Sequence, residues 1–379
     1  MKRFFSIIGI CAAGFFQPLE IFAADTIAPP SPEVVATFKL ATNYTKCVIV
    51  ENLPVVGSAK VSDFAMREAV YLVRHEIGNR PEILRAMAGN NVRLVVMAST
   101  EMTTDVPEHS DLTPKEYWNR RARGLGATEE RPAVSCAEEN LLCLAGDPYW
   151  QENILIHEFA HAIHERGMIS IDPAFDKRLT AAFEHARTNG LWKGTYSMEN
   201  RMEYWAEGAQ AWFDTARKND FQHGPIDTRD LLKPYDPDLA KLLAEVFGDS
   251  PWRYAKPAKR PESERAHLAG FDAKNFPRFE WPKNAPRGEA LAWLSPDKAP
   301  AASPRSSEKT SINFMNFRKK EIEVSWIDFD GKRKRVKTVR SGLTFLEESF
   351  SGHAFVISED GKDLGAVVAT DGPGRVEIK

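Results

Sequence analysis

The stretch ILIHEFAHAIHER, Ile154–Arg166, decides how this chain is read. Within it stands His157-Glu158-Phe159-Ala160-His161, two histidines four residues apart with a glutamate directly after the first. Apolar Ile154, Leu155, Phe159, Ala162 and Ile163 recur at helical spacing. Asp147-Pro148 ahead and Gly167 behind supply start and stop signals, which predicts a helix from Pro148 to Arg166. Positions four apart share a helix face, so both imidazoles can reach one ion while Glu158 stands beside them. This is the H-E-x-x-H pattern of zinc hydrolases, in which the glutamate handles the protons of an activated water.

A catalytic zinc takes three protein ligands and keeps one position open. His164 lies about 10 Å along a straight helix from His157, too far to share an ion bound at about 2 Å, and is expected behind the site or at the surface. The glycine and third histidine of a metzincin are absent, since His164 and Gly167 occupy those places. Between Met198 and Ala216 a second helix is expected, with Glu199, Glu203 and Glu207 on one stripe. Its Met202, Tyr204, Trp205, Trp212 and Phe213 make it too apolar to be mostly exposed, so one of the three carboxylates faces a cation; spacing alone leaves open which.

Tyr196 to Glu207, YSMENRMEYWAE, resembles the matching segment of the anthrax lethal factor C-terminal peptidase family. There a tyrosine precedes the metal-binding glutamate by seven residues and a second glutamate follows it by four. The resemblance, which runs over roughly 154–213, implies Glu203 as the third ligand and Tyr196 as a hydroxyl near the reacting carbonyl. It implies Glu207 as the group that orients a histidine ligand from behind. It also implies one Zn2+ per chain, peptide-bond hydrolysis with Glu158 as general base, and a peptide or protein substrate. The run Asn140 to Ala145 is expected to offer an edge strand that aligns an extended peptide.

The rest of the chain frames this centre. Its 379 residues are 43% hydrophobic, and 50 Lys and Arg stand against 53 Asp and Glu, a balance that gives no reason to expect nucleic acid as partner. Residues 1–24 have the layout of a secretory signal: Lys2 and Arg3, an apolar run Phe4 to Phe16, and an exit at Ala23 and Ala24. The run is too short for a transmembrane anchor and is broken by Gln17, Pro18 and Glu20. A secreted or periplasmic protein follows, and in an oxidising compartment Cys136 and Cys143 are expected to form a disulfide, with Cys47 buried in a strand.

Further elements are expected as a β-rich run at Val48–Val56, a helix at Asp63–Ile77, a buried strand at Arg93–Ala98, and helices opened by Asp172-Pro173 and Asp236-Pro237. Residues 295–310 read as a Pro, Ala and Ser-rich linker. Beyond it six short β runs separated by Gly turns read as a small sandwich over 311–379. Its NF, SWIDFDGK and SFSGHAFVI segments resemble the β-domain of the von Hippel-Lindau tumour suppressor. That resemblance implies a proline or hydroxyproline ligand held by Trp326, Ser349 and His353, with Val336 and Phe355 in place of the family's tyrosine and tryptophan. The family's ubiquitin-ligase-recruiting helices have no counterpart before Lys379, so a docking module is expected rather than a degradation adaptor. Together these readings give an α+β zincin-like metallopeptidase domain over 25–294 followed by an all-β sandwich. Two rivals are an inactive peptidase-fold binding protein and a zinc hydrolase of a non-peptide amide.

Overall fold

The computed structural model describes residues 26–379 except 114, 221, 282–287 and 342–343, so the expected signal, 1–24, lies outside the described residues. Helix α1 (Pro32–Phe38) leads into strands β1 (Tyr44–Val50) and β2 (Leu53–Ser58). The β-rich run at Val48–Val56 is thus two halves of a hairpin. Glu51 and Asn52 take φ of 46° and 73°, the left-handed pair whose twist matches the flanking strands. Helix α2 (Asp63–Ile77) has the expected limits, with the Ser62 hydroxyl accepting the Ala65 N–H at 3.1 Å. After α3 (Pro81–Gly89) come β3 (Arg93–Met97), α4 (Lys115–Arg121), β4 (Gly124–Leu125) and β5 (Ala133–Ala137).

These strands form one sheet in the order β1-β2-β3-β5-β4, parallel from β2 through β5 and antiparallel at both edges. Along β3, Leu94 and Val96 enter the main core while Val95 and Met97 enter a smaller one with Phe38 and Tyr44, so both faces of the sheet are covered. Cys47 is buried on β1 as expected, and burial pushes its thiol up to about 11.

The second half of the domain is helical: α5 (Glu138–Leu141), α6 (Ile154–Ala162), α7 (Ile169–Ile171), α8 (Phe175–Thr188), α9 (Arg201–Trp212), α10 (Arg229–Tyr235) and α11 (Pro237–Phe247). Of the Asp-Pro signals, only Asp236-Pro237 opens a helix at once, its carboxylate accepting the Leu239 N–H at 3.1 Å. Asp147 and Asp172 instead accept from Tyr149 and Ala174, two residues on, and spend themselves in turns. The motif helix therefore begins at Ile154, capped by Asn153. Nor does Gly167 stop it: the helix runs on through a π-helical turn at Ile163–Met168 into α7. A Cβ on Gly167 would stand 2.8 Å from Ile83 Cγ2, so this glycine serves close helix packing against α3.

Two further expectations are corrected. Asn140 to Ala145 is a short helix and turn, because the Asn140 side chain is drawn inward to Asp147, Tyr149, Glu152 and Ile154. Cys136 and Cys143 are both free thiols. Cys136 points into the main core, while Cys143, at φ 53°, turns its sulfur toward the Tyr254 hydroxyl, 3.8 Å away.

Strand β6 (Glu289–Ala290), which lies in the stretch expected to belong to the first domain, joins the C-terminal module, whose other strands are β7 (Lys309–Asn316), β8 (Ile322–Ile327), β9 (Arg333–Val339), β10 (Thr344–Phe350), β11 (Ala354–Glu359), β12 (Lys362–Val368) and β13 (Gly374–Ile378). Two four-stranded sheets, β10-β7-β13-β6 and β12-β11-β8-β9, enclose Phe314, Val324, Phe355 and Val376, confirming an all-β region behind an α+β one. Strand β13, which the six expected runs omit, pairs parallel with both β7 and β6. The stretch read as a linker is also held by the sandwich. Just ahead of it Leu294 bridges to Ala366, and within it the Ser303 side chain bonds Ile327 and Ala354. Strands β9 and β10 are both sheet edges.

Candidate metal centre and the cleft around it

The Asn153 carboxamide accepts the Ile156 N–H at 3.1 Å and starts α6 one turn before the motif. Four residues apart on that helix, His157 Nε2 and His161 Nε2 come within 3.2 Å of each other. Helix α9 lies against α6, locked by the buried Trp205 indole N–H donating to the Ala160 carbonyl at 2.9 Å. Asn200 caps α9 through bonds from the Met202 and Glu203 N–H groups, so Glu203 sits in the first turn, where the helix dipole favours a carboxylate. Its Oε2 stands 3.2 Å from His157 Nε2 and 3.4 Å from His161 Nε2. Among the described residues, this trio alone converges closely enough to hold a metal ion.

Three ligands about 2.0–2.1 Å from a tetrahedral zinc are separated from one another by about 3.3 Å. The spacings of 3.2, 3.2 and 3.4 Å outline one face of such a tetrahedron. The electrostatics agree. Burial opposes charge on His157, yet the carboxylates of Glu203, Glu158 and Glu207 hold the ring well above its ordinary pKa. Burial likewise opposes charge on Glu203, but the two imidazoles keep its carboxyl far below the usual range. The pocket calls for a cation, and the residues present fit zinc.

Gln210, missed from the sequence, holds His157 in place. His157 Nδ1 lies 3.0 Å from Gln210 Oε1, while the Gln210 amide nitrogen donates to Glu152 Oε2 at 3.1 Å and to the Asn153 carbonyl at 3.3 Å. Two acceptors on the amide nitrogen leave Oε1 facing the ring, so Nδ1 carries the proton and Nε2 keeps its lone pair for the cation. Gln210 follows Glu203 by seven residues and shares its stripe, a signal available in the sequence. Glu207, expected in this role, is 3.7 Å from Nδ1, beyond hydrogen-bond reach, and turns its other oxygen to His223 Nε2 at 3.4 Å. His223 is braced in turn by Asp220 at 2.8 Å. Its neighbourhood, Asp220 to Gly224, carries no periodic pattern by which it could have been found.

Tyr196 is not on α9 but on a separate turn, Tyr196–Met198, whose backbone is tied by its N–H donating to the Gln222 carbonyl at 2.7 Å. Burial, with Glu203 nearby, pushes its hydroxyl well above the ordinary tyrosine value, so it stays a proton donor. Glu158 lines the cleft under strand β4. That strand and the residue after it pass close because they read Gly-Leu-Gly: a Cβ on Gly124 would stand 2.8 Å from the Ser135 carbonyl oxygen and 3.1 Å from Glu158 Cγ, and one on Gly126 3.1 Å from His161 Cβ. Glu199 lines the cleft but stands outside the converging trio, and pairs with Lys337. His164 is fully buried rather than at the surface, its ring 3.0 Å from Asp176. The π turn carries it away from the straight-helix position.

The cleft over this centre has a volume of about 1340 Å³ and is walled by the end of α4, by α6, by the Tyr196 turn and, opposite, by β9 and β10 of the sandwich. Elsewhere on the sandwich the rings of Trp326 and His353 meet at 5.2 Å, with Phe329 at 5.6 Å from His353 and Ser349 Oγ 3.2 Å from its Nδ1. Trp326 Nε1 and His353 Nε2 are buried without a hydrogen-bond partner among the described residues. Phe355 belongs to the sandwich core instead, and Val336 to the cleft wall.

No family model and no curated protein matches the sequence. Among solved structures, a Pro-Pro endopeptidase from Paenibacillus alvei superposes with a TM-score of 0.32 at 19% identity, over 52% of this chain and 98% of that one. A likeness this distant carries no functional argument. No helix among the described residues is long and apolar enough to cross a membrane.

Proposed function

We propose that this chain is an exported zinc-dependent peptidase, with His157, His161 and Glu203 holding the metal. The observation that carries the reading is the tetrahedral-face spacing of 3.2, 3.2 and 3.4 Å among their three ligand atoms. Bound zinc would lower the pKa of a water to about 7 and polarise the scissile carbonyl. Glu158, one residue beyond His157 and facing the cleft, takes the water's proton and returns it to the leaving amine. Tyr196 donates to the oxygen that gains negative charge during attack. Gln210 keeps the His157 lone pair aimed at the cation. The backbone of β4, a two-residue edge beside α6, is the place for an extended substrate to pair.

Metal analysis of purified protein should find about one zinc per chain. Glu203→Ala should lose it and Glu199→Ala should keep it; retention in Glu203→Ala would overturn the assignment. Glu158→Gln should bind metal normally while hydrolysing peptides about 10²–10⁴-fold more slowly. A parallel screen of unfolded protein substrates and simple amides separates a peptidase from a hydrolase of non-peptide amides. On the sandwich, Trp326 Nε1 and His353 Nε2, buried without a partner among the described residues, support a docking role for the Trp326, Ser349 and His353 group. Titration with proline and hydroxyproline peptides tests it, and equal or absent binding of the two removes hydroxyproline as the ligand.

A further inference from the structure

The turn that carries Tyr196 is a single short helical turn outside the long helices, closed by the Met198 N–H donating to the Thr195 carbonyl at 3.1 Å and the Glu199 N–H donating to the Tyr196 carbonyl at 3.0 Å. Gly190, Trp192 and Gly194 take φ of 71°, 56° and 76°, so the approach to it has no regular hydrogen-bond ladder. Its inner side is anchored where the Trp192 indole donates to Asp236 Oδ2 at 2.8 Å and where the Tyr196 N–H meets the Gln222 carbonyl. Across the cleft its outer side is met by β9 and the residue that follows it. Arg340 Nη2 lies 3.2 Å from the point where a Cβ on Gly194 would be, over the bare face of that glycine. Lys337 pairs with Glu199, the residue that ends the turn and whose N–H donates to the Tyr196 carbonyl at 3.0 Å. Two cations, one on β9 and one just after it, thus bracket Tyr196, two residues before it and three after. A third contact, Arg121 with Glu348 at 3.8 Å, holds the neighbouring strand β10 against the same cleft.

We propose that the C-terminal sandwich is a brace for catalysis, Lys337 and Arg340 gripping the Gly194–Glu199 turn from both sides and so fixing where the Tyr196 hydroxyl stands. Lys337 and Arg340 are positioning residues, since neither reaches the metal ligands. The catalytic consequence rests on the peptidase reading; the mechanical one does not. Each exposed ion pair is weak alone, but a hydroxyl misplaced by about 1 Å costs up to 10²-fold in rate, so a modest restraint has a large readout.

The test uses the full-length, zinc-loaded protein and the variants Lys337→Glu/Arg340→Glu and Lys337→Glu/Glu199→Lys, the second a charge swap. Hydrogen exchange of the Thr195 to Glu199 amides should speed up about tenfold or more in the first and return toward wild type in the second, with zinc content unchanged in both. On a peptide too short to reach β9, kcat should fall about tenfold with KM nearly constant in the first, and recover in the second. Unchanged exchange in the turn overturns the brace, as does a rise in KM alone, which would mark β9 as a substrate contact. If wild-type protein hydrolyses no peptide while the turn still responds, the brace stands and the peptidase reading falls.

Discussion

His157, Glu158 and His161 were legible because helical periodicity is local: five consecutive residues carry the whole argument. The Glu203 carboxylate needed a resemblance, since three glutamates on one stripe are equivalent until a partner helix breaks the tie. Gln210 looked like an ordinary polar residue because its role arises only where α9 meets α6. Its contact with His157 gives a sharp expectation. Gln210→Ala should weaken zinc affinity about 10–100-fold in competition with a chelator, and Glu207→Gln should weaken it less. Glu76 supplies a second. Both of its oxygens are buried without a partner among the described residues, and burial holds its carboxyl well above the ordinary range. Because the folded state binds that proton more tightly than the unfolded chain does, the stabilising effect is complete below the ordinary carboxylate pKa and is lost as pH rises. Glu76→Met should therefore gain on the wild type with rising pH, by up to about 1.4 kcal/mol per unit in urea titrations. A difference that stays constant with pH contradicts this protonation.

Among elements, the Asp-Pro signals separated cleanly by what their carboxylates found. Asp236 met an N–H three residues on and capped a helix, whereas Asp147 and Asp172 met one two residues on and made turns. Sequence cannot distinguish those outcomes, because the choice depends on what covers the turn. Strand β4 was invisible for a related reason: two residues have no period, and the glycines that let it approach α6 read as punctuation. That approach is testable. Gly124→Ala would place a methyl 2.5 Å from Ile154 Cγ2 and 2.8 Å from the Ser135 carbonyl oxygen. It should cost about 1–3 kcal/mol in chemical denaturation and lower peptide turnover, while zinc stoichiometry holds. An unperturbed denaturation midpoint would show that β4 rides clear of the motif helix.

At the scale of the molecule, the two-part organisation was readable from a change in texture, alternating β-branched runs against amphipathic helices. The meeting of the two parts was not, because it joins residues such as Glu199 and Lys337 that each look like ordinary solvated charges. Glu347 makes that contact sensitive to pH. Burial first, then Glu348 and Glu199, push its carboxyl up to about 7. The docked state holds the proton more tightly, so docking is strongest below the ordinary carboxylate range and weakens as pH rises through about 7. Protection of the β9 and β10 amides should accordingly fall between about pH 4.5 and pH 7 and level off above, and Glu347→Gln should flatten that dependence. Protection that rises with pH would contradict it.

The two strands that wall the cleft are also the outer strands of their sheets, the position at which an extended chain can add as a further strand. Strand β9 defends itself with Arg333, Lys334, Arg335 and Lys337, whereas β10 presents a half-open Leu346 and relies on its position against the rest of the protein. Prising the sandwich away should therefore invite self-association through β10, so that colloidal solubility depends on the same contacts that shape the cleft.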